Sequence, residues 1–286
     1  MSKTITNKFA GLPPEFESYD RAKIVILPVP FEKTTTWLKG TNKGPKAIIE
    51  ASKNMELYDI ETASEVYKVG IHTGQAIHAK NSVEMINKVY RRNKKYLSAN
   101  KFIVTLGGEH SISIGSIKSH LEFFNKLSIL HLDAHSDRRN SFRGSIYNHA
   151  CVMARVQEMT DNVISVGIRS VDSTELDNIN PNKIFYAERI YSSSNWQQKV
   201  IKKLTKNIYM TIDLDVFDPA IMSSVGTPEP GGLDWYSALE LLRMAVKEKN
   251  IVGFDVVELC PSPHNKAPDF LAAKLIYKLL SYKFCG

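Results

Sequence analysis

Seven apolar, β-rich runs alternating with helical patterns constrain this chain more than any other feature. The runs cover residues 23–28, 102–106, 127–132, 163–166, 183–186, 208–212 and 251–256. Helical patterns fall at 45–52, 83–98, 114–124, 150–159, 196–204, 235–249 and 267–283. Such alternation predicts a mainly parallel sheet covered by helices on both faces. In the 235–249 stretch, Ala238, Leu241, Leu242 and Ala245 recur at helical spacing, with Glu240, Arg243 and Lys247 on the other side. Asp234, just upstream, is placed to cap that helix. No repeat, low-complexity tract or long linker divides the 286 residues, so one domain over 1–286 is expected. Residues 31–44, 138–148 and 219–233 follow predicted strand ends and are expected to line a mouth above the sheet.

The chemistry concentrates at those strand ends. Asp133, His135 and Asp137 follow the apolar run 127–132 at every second position, so in extended backbone they leave one face. Asp213 and Asp215 repeat the pattern after the run 208–212. Gly107 and Gly108, after the run 102–106, are expected to allow a tight turn that brings His110 to the sheet edge. The carboxyl ends of parallel strands are where open α/β sheets bind ligands. This much acid beside a hydrophobic core is costly unless a cation offsets it. Two imidazoles and four carboxylates suit two divalent cations, because four aspartate charges balance two dications and carboxylates can bridge. Mixed oxygen and nitrogen donors favour manganese-like or magnesium-like ions over a thiolate zinc site. A close metal pair can lower the pKa of water enough to give hydroxide at neutral pH. His131 shares the parity of Asp133 but lies deeper in the strand. Packing, or a hydrogen bond to a ligand, is expected of it rather than ligation.

Composition removes several alternatives. The net charge of +7 is spread along the chain, and its one dense run, residues 91–95, falls within an amphipathic helical pattern. That run reads as a solvated face, and no zinc-finger or RNA-binding aromatic signature accompanies it, so no nucleic-acid partner is expected. No apolar run approaches the roughly 20 residues of a membrane span. The stretch 1–8 lacks the apolar core of a secretion signal. Cys151, Cys260 and Cys285 are widely spaced and odd in number, which points to reduced thiols in a cytoplasmic protein. Cys260 lies in an apolar stretch and is expected to pack.

Several motifs together resemble the ureohydrolases, the family of arginase and agmatinase. They are Gly107-Gly-Glu-His-Ser111, Asp133-Ala-His-Ser-Asp137, Ile212-Asp-Leu-Asp-Val-Phe-Asp-Pro219 and Gly226-Thr-Pro-Glu-Pro-Gly-Gly-Leu233. Leu27-Pro-Val-Pro-Phe31, Gly44-Pro-Lys-Ala-Ile48 and the segment from Val252 to Leu259 are similar too. The resemblance implies a three-layer α/β/α domain with about eight strands, homo-oligomers (trimers or hexamers), and two Mn2+ ions. It makes His110, Asp133, His135, Asp137, Asp213 and Asp215 the metal ligands. Asp133 and Asp213 would bridge, His110 and Asp137 would complete one site, and His135 and Asp215 the other. Hydroxide between the metals would attack a guanidinium carbon held by Glu258, with Asp137 helping to stabilise the tetrahedral intermediate. His149 would pass a proton to the leaving amine, a task that suits a neutral-range pKa.

The resemblance is most agmatinase-like, with the small-molecule substrate expected to be agmatine, cleaved to putrescine and urea. Arginine, a guanidino acid and aminopropylagmatine are the alternatives, and a non-catalytic oligomeric relative is the reading from a different class. Asp172 aligns with a position that contacts the substrate amine in arginases, and Glu175 is a second candidate. Both are otherwise ordinary surface acids. The loop from Arg138 departs from the family pattern. Arg138, Arg139 and Arg143 stand where many relatives carry acids, and they would repel a cationic tail if they pointed inward.

Overall fold

The computed structural model describes residues 7–286. Residues 1–6, most of the polar amino-terminal stretch, lie outside the described residues. Eight strands form one sheet: β1 (Ile24–Val29), β2 (Ile71–Thr73), β3 (Phe102–Gly107), β4 (Leu127–Leu132), β5 (Val163–Ile168), β6 (Ile184–Tyr186), β7 (Asn207–Asp213) and β8 (Asn250–Val257). Their order is β2-β1-β3-β8-β7-β4-β5-β6, and every neighbouring pair is parallel. The expectation of a mainly parallel sheet is thus met by a wholly parallel one. Strand β2 has no counterpart among the apolar runs, because three residues are too short to show a period.

Every residue of β1, β4 and β5 is buried, which explains why these strands read as continuous apolar runs. Ile24 and Ile26 point into one core, while Val25, Leu27 and Val29 point into the other. Helices Gly44–Ser52, Trp196–Lys203, Trp235–Glu248 and Ala267–Cys285 contribute to the first core. Helices Ser82–Ser98, Ser113–Phe123 and Val152–Gln157 contribute to the second, completing three layers. The pattern at 150–159 resolves into a 3-10 turn, His149–Cys151, followed by the shorter helix. Cys260 is half-buried, its sulfur 3.3 Å from the Lys39 carbonyl, rather than packed in a core. Among the described residues, no helix is long and apolar enough to cross a membrane.

The strand order positions the chemistry. The adjacent strands β3, β8, β7 and β4 are those whose carboxyl ends lead into His110, Glu258, Asp213 and Asp133. Register keeps those ends level, with Leu106 and Ile212 both opposite Val256, Leu132 opposite Ile212, and Asp213 opposite Val257.

As expected, Asp234 caps the Trp235–Glu248 helix, its Oδ1 accepting from the N–H groups of Tyr236 (2.9 Å) and Ser237 (3.0 Å). The Asp234→Ala variant should lose about 1 kcal/mol of stability, the usual worth of a cap. Urea unfolding at equal m-value reads this, and an unchanged midpoint would refute it.

Candidate metal centre

The convergence expected of Asp133, His135 and Asp137 occurs, but not through an extended strand. Strand β4 ends at Leu132, and the three residues lie in the irregular segment beyond it. That segment is pinned by its own backbone. The Ala134 carbonyl accepts from Arg169 and Ser170, the Ser136 N–H donates to Ser170, and the Asp137 carbonyl accepts from Met153 and Ala154. Asp137 itself adopts a left-handed φ of 54°, uncommon outside glycine. The carboxylates are anchored as well. Asp133 Oδ1 accepts from the His135 N–H at 2.6 Å, and Asp213 Oδ1 accepts from the Asp215 N–H at 3.0 Å.

Two donor groups result. His110 Nδ1 lies 3.2 Å from Asp133 Oδ2, 3.1 Å from Asp137 Oδ2 and 3.4 Å from Asp213 Oδ2. His135 Nδ1 lies 2.9 Å from Asp215 Oδ2 and 3.6 Å from Asp133 Oδ1. Neighbouring donors around a cation bound at about 2.1 Å are themselves about 3 Å apart, so both groups have ion-sized spacing. The buried His110 Nδ1 forms no hydrogen bond despite three carboxylates around it. An orphaned nitrogen facing carboxylate oxygens fits a lone pair directed at a cation. Asp133 belongs to both groups.

The far side of His110 supports the same assignment. Its Nε2 is 2.9 Å from Thr211 Oγ1, which donates to the Asp255 carboxylate at 2.6 Å. Thr211 has given its hydrogen to Asp255, so it accepts from His110 Nε2 and leaves the Nδ1 lone pair toward the cluster. His131 behaves as expected of it: it is buried, and its Nε2 meets Asp133 Oδ2 at 2.8 Å. The two glycines of Gly107-Gly108 serve a purpose beyond the turn expected of them. Neither has a positive φ, but a Cβ on Gly108 would sit 2.0 Å from the Phe31 carbonyl oxygen. The chain does bend at Gly108 and Glu109, and the glycines permit close packing there.

Burial makes the cluster hungry for positive charge. Burial opposes protonation of His135, yet Asp215 and Asp133 outweigh it and push the imidazole up to about 12. Burial, then repulsion from Asp215 and Asp133, drives Asp213 well above the usual carboxylate range. Glu258 is driven up by burial and by Glu109, and it too has a left-handed φ, 65°. Its Oε1 accepts from the His110 N–H at 2.6 Å, and its Oε2 lies beside Gly226, where both residues line the cleft.

His149 lines the same cleft. Burial, reinforced by the charges of His110 and His135, pulls its imidazole down to about 4 rather than leaving it in the neutral range expected. Two residues missed in the sequence hold it. Thr34 Oγ1 donates to Glu109 Oε1 at 2.8 Å and accepts from the His149 N–H at 2.9 Å, with His149 Nδ1 at 3.1 Å. Glu109 also accepts from the Lys33 and Thr34 N–H groups. Its place inside Gly-Gly-Glu-His was the available signal.

The three mouth segments line the cleft as expected, through Thr35–Leu38, Arg139, Phe142 and Thr227 among others. The arginines do not all face it. Arg138 is buried, Arg139 pairs with Asp172 at 2.9 Å and Glu175 at 3.5 Å, and Arg143 stacks over Phe142. Asp172 and Glu175 both line the cleft. Glu175 is no surface acid, at 4% exposure, because Ser136 and Arg139 compensate its charge.

Cation binding should therefore expel protons, from His135 and from His110, whose imidazole is likewise held above its ordinary range, burial opposing and Asp133, Asp137 and Asp213 prevailing. Affinity for Mn2+ should rise with pH between about 6 and 8, since protons compete for the ligands. Calorimetry in buffers of different ionisation enthalpy measures this, and binding without proton release at neutral pH would contradict the assignment.

Comparison with known proteins agrees with this geometry. The sequence profile of the Arginase family matches residues 22–281. The chain is 36% identical to the N(1)-aminopropylagmatine ureohydrolase of Synechocystis over 96% of both chains. It is 32% identical to the agmatinase of Pyrococcus horikoshii over 91% of both. Among solved structures, the agmatine ureohydrolase of Thermoplasma volcanium superposes with a TM-score of 0.85 at 29% identity, covering 93% of this chain and 92% of that one. The proclavaminate amidino hydrolase of Streptomyces clavuligerus gives 0.87 at 26% identity, covering 97% and 96%. Matched along nearly its whole length, the chain belongs to the arginase family and is a ureohydrolase, an enzyme that hydrolyses guanidino groups.

Proposed function

We propose a binuclear manganese ureohydrolase acting on a guanidino cation with an amine tail, N(1)-aminopropylagmatine or agmatine. One observation carries the reading: the buried carboxylate of Glu258 opens onto the same cleft as the paired donor groups. In this reading Asp133 and Asp213 are shared, His110 and Asp137 complete one site, and His135 and Asp215 the other. When bound, the two cations supply a nucleophile from water at neutral pH and charge to stabilise the transition state.

The side chains do the rest. A carboxylate raised by burial regains its ionised form by pairing with a cation, so Glu258 holds and orients the guanidinium. Asp137, which lines the same cleft, would help to stabilise the tetrahedral intermediate. His149 is neutral at pH 7, with direction imposed on its protons. Thr34 has given its only hydrogen to Glu109, so Thr34 Oγ1 accepts from His149 Nδ1–H. Nε2 keeps its lone pair, so it can take the proton that the attacking water gives up and pass it to the departing amine.

The tail is read from the mouth. Asp172 and Glu175 are the candidate amine contacts, already balanced by Arg139, so an arriving ammonium shares or replaces that pairing. Trp37, 66% exposed at the rim, offers a π face to a second cationic group further along. Relatives from Synechocystis and Thermus thermophilus named N(1)-aminopropylagmatine ureohydrolases support the longer polyamine, and the Pyrococcus horikoshii relative supports agmatine. A single domain over residues 1–286 belongs to the proposal, supported by the one continuous sheet. Three free cysteines support a cytoplasmic location, and assembly as a trimer or hexamer rests on the resemblance.

Manganese-loaded protein should release urea from aminopropylagmatine and agmatine, with much lower kcat/KM on arginine and guanidinobutyrate. Urea from none of the four would sink the proposal. Asp133→Asn should abolish turnover and weaken metal binding together. The His149→Ala variant should lose roughly 100- to 10,000-fold in kcat, the usual range for a proton-transfer group, with KM little changed. Full activity in that variant would remove His149 from the relay.

A further inference from the structure

Among the described residues, Arg138 is the bulkiest of the fully buried side chains, yet the mechanism does not use it. Its guanidinium lies beneath the metal centre among neutral partners. One terminal nitrogen donates to the Ser136 carbonyl at 2.8 Å and the other to Ser165 Oγ at 2.9 Å, while Nε has no partner. Ser165 Oγ lies 3.0 Å from His131 Nδ1, and His131 Nε2 lies 2.8 Å from Asp133 Oδ2. Arg138 is 1% exposed, and Ser165, His131 and Asp133 are each 0% exposed, so solvent cannot supply missing partners.

Donor and acceptor chemistry gives this chain a direction. A guanidinium has five N–H donors and no acceptor. Ser165 Oγ therefore accepts from Arg138, and its single hydrogen goes to the one remaining neighbour, His131 Nδ1. That places the ring proton on Nε2, where it donates to Asp133. The other tautomer would set an imidazole lone pair against a carboxylate oxygen and strand the Ser165 hydrogen in a dry interior. Asp133 is then fixed at both oxygens, by His131 at Oδ2 and by the His135 N–H at Oδ1. The same proton makes His131 a donor rather than a third imidazole ligand, although it sits beside His110 and Asp133 in a metal-competent cluster.

We propose that Arg138 is a positioning residue, fixing the tautomer of His131 through Ser165 and thereby the orientation of the Asp133 carboxylate. The proposal rests on reading Asp133 as a metal-holding group. It also gives the arginine that opens the divergent loop a role inside the molecule rather than at its mouth.

The test uses full-length protein labelled with 15N-histidine, with metal removed and again loaded with Mg2+, and long-range 1H–15N spectra to read the His131 tautomer. Wild type should show the Nε2–H form in both. The Ser165→Ala variant should lose that pure form and raise the Kd for Mn2+ about tenfold, the lower end of what losing a partner behind a ligand costs. Ser165→Thr, which keeps the hydroxyl, should restore both readouts. Arg138→Met should behave like Ser165→Ala, and if it does not fold the Ser165 pair carries the test. An Nδ1–H tautomer in wild type, or a Ser165→Ala protein with unchanged tautomer and a Kd within about twofold of wild type, would overturn the proposal. Failure of wild type to bind Mn2+ would instead remove the metal reading, since the tautomer is measured without metal.

Discussion

Buried carboxylates in want of positive charge are the constraint on which the rest of this structure depends. Asp133, Asp213, Asp215 and Glu258 sit within a few side chains of one another, each under 9% exposed. Bringing ionised groups out of water is expensive, and repulsion among them adds to the cost. The protein meets that cost at three levels: imidazoles between the carboxylates, backbone N–H groups at one oxygen of most of them, and a cleft open to cations. The surrounding β3, β8, β7 and β4 strands hold the arrangement against its own repulsion through two dry cores.

Proton direction around the site is set by neighbouring hydroxyls. His110, His131 and His149 each face a hydroxyl, on Thr211, Ser165 and Thr34 respectively. Each hydroxyl also meets a charged group that decides where its hydrogen goes. Asp255 and Glu109 accept, so their threonines take a proton from the histidine. Arg138 donates, so Ser165 gives its hydrogen to the histidine. Three imidazoles acquire different tasks from the sign of the group one bond further away.

Much of this was legible in the sequence, and for identifiable reasons. Parallel strands are buried on both faces, so their apolar runs were visible, whereas β2 was too short to be seen. The six donor residues stood out because acid straight after a buried apolar run is too costly to keep without a cation beside it. Their geometry was right in outcome but wrong in cause, since alternation along a strand stops at Leu132 and loop hydrogen bonds place the rest. Glu109, Thr34 and Ser165 escaped notice because a buried polar residue looks in sequence like any surface one. Arg138 and Glu175 misled for the same reason, each being hidden by partners far away in the chain. The glycine pair showed the converse: the need for Gly108 is set by Phe31, roughly eighty positions upstream, and that for Gly107 by Val257 and Ile112.

The left-handed backbone at Asp137 and Glu258 carries a consequence for how this protein can change. A non-glycine residue held there costs about 1 kcal/mol or more, which the surrounding packing must supply. Glycine at either position would relieve that strain while deleting a carboxylate from the cleft. The molecule therefore sits away from its own stability optimum at two points that line one cleft. Stability alone would favour glycine at both, so the carboxylates placed there answer to function rather than to folding.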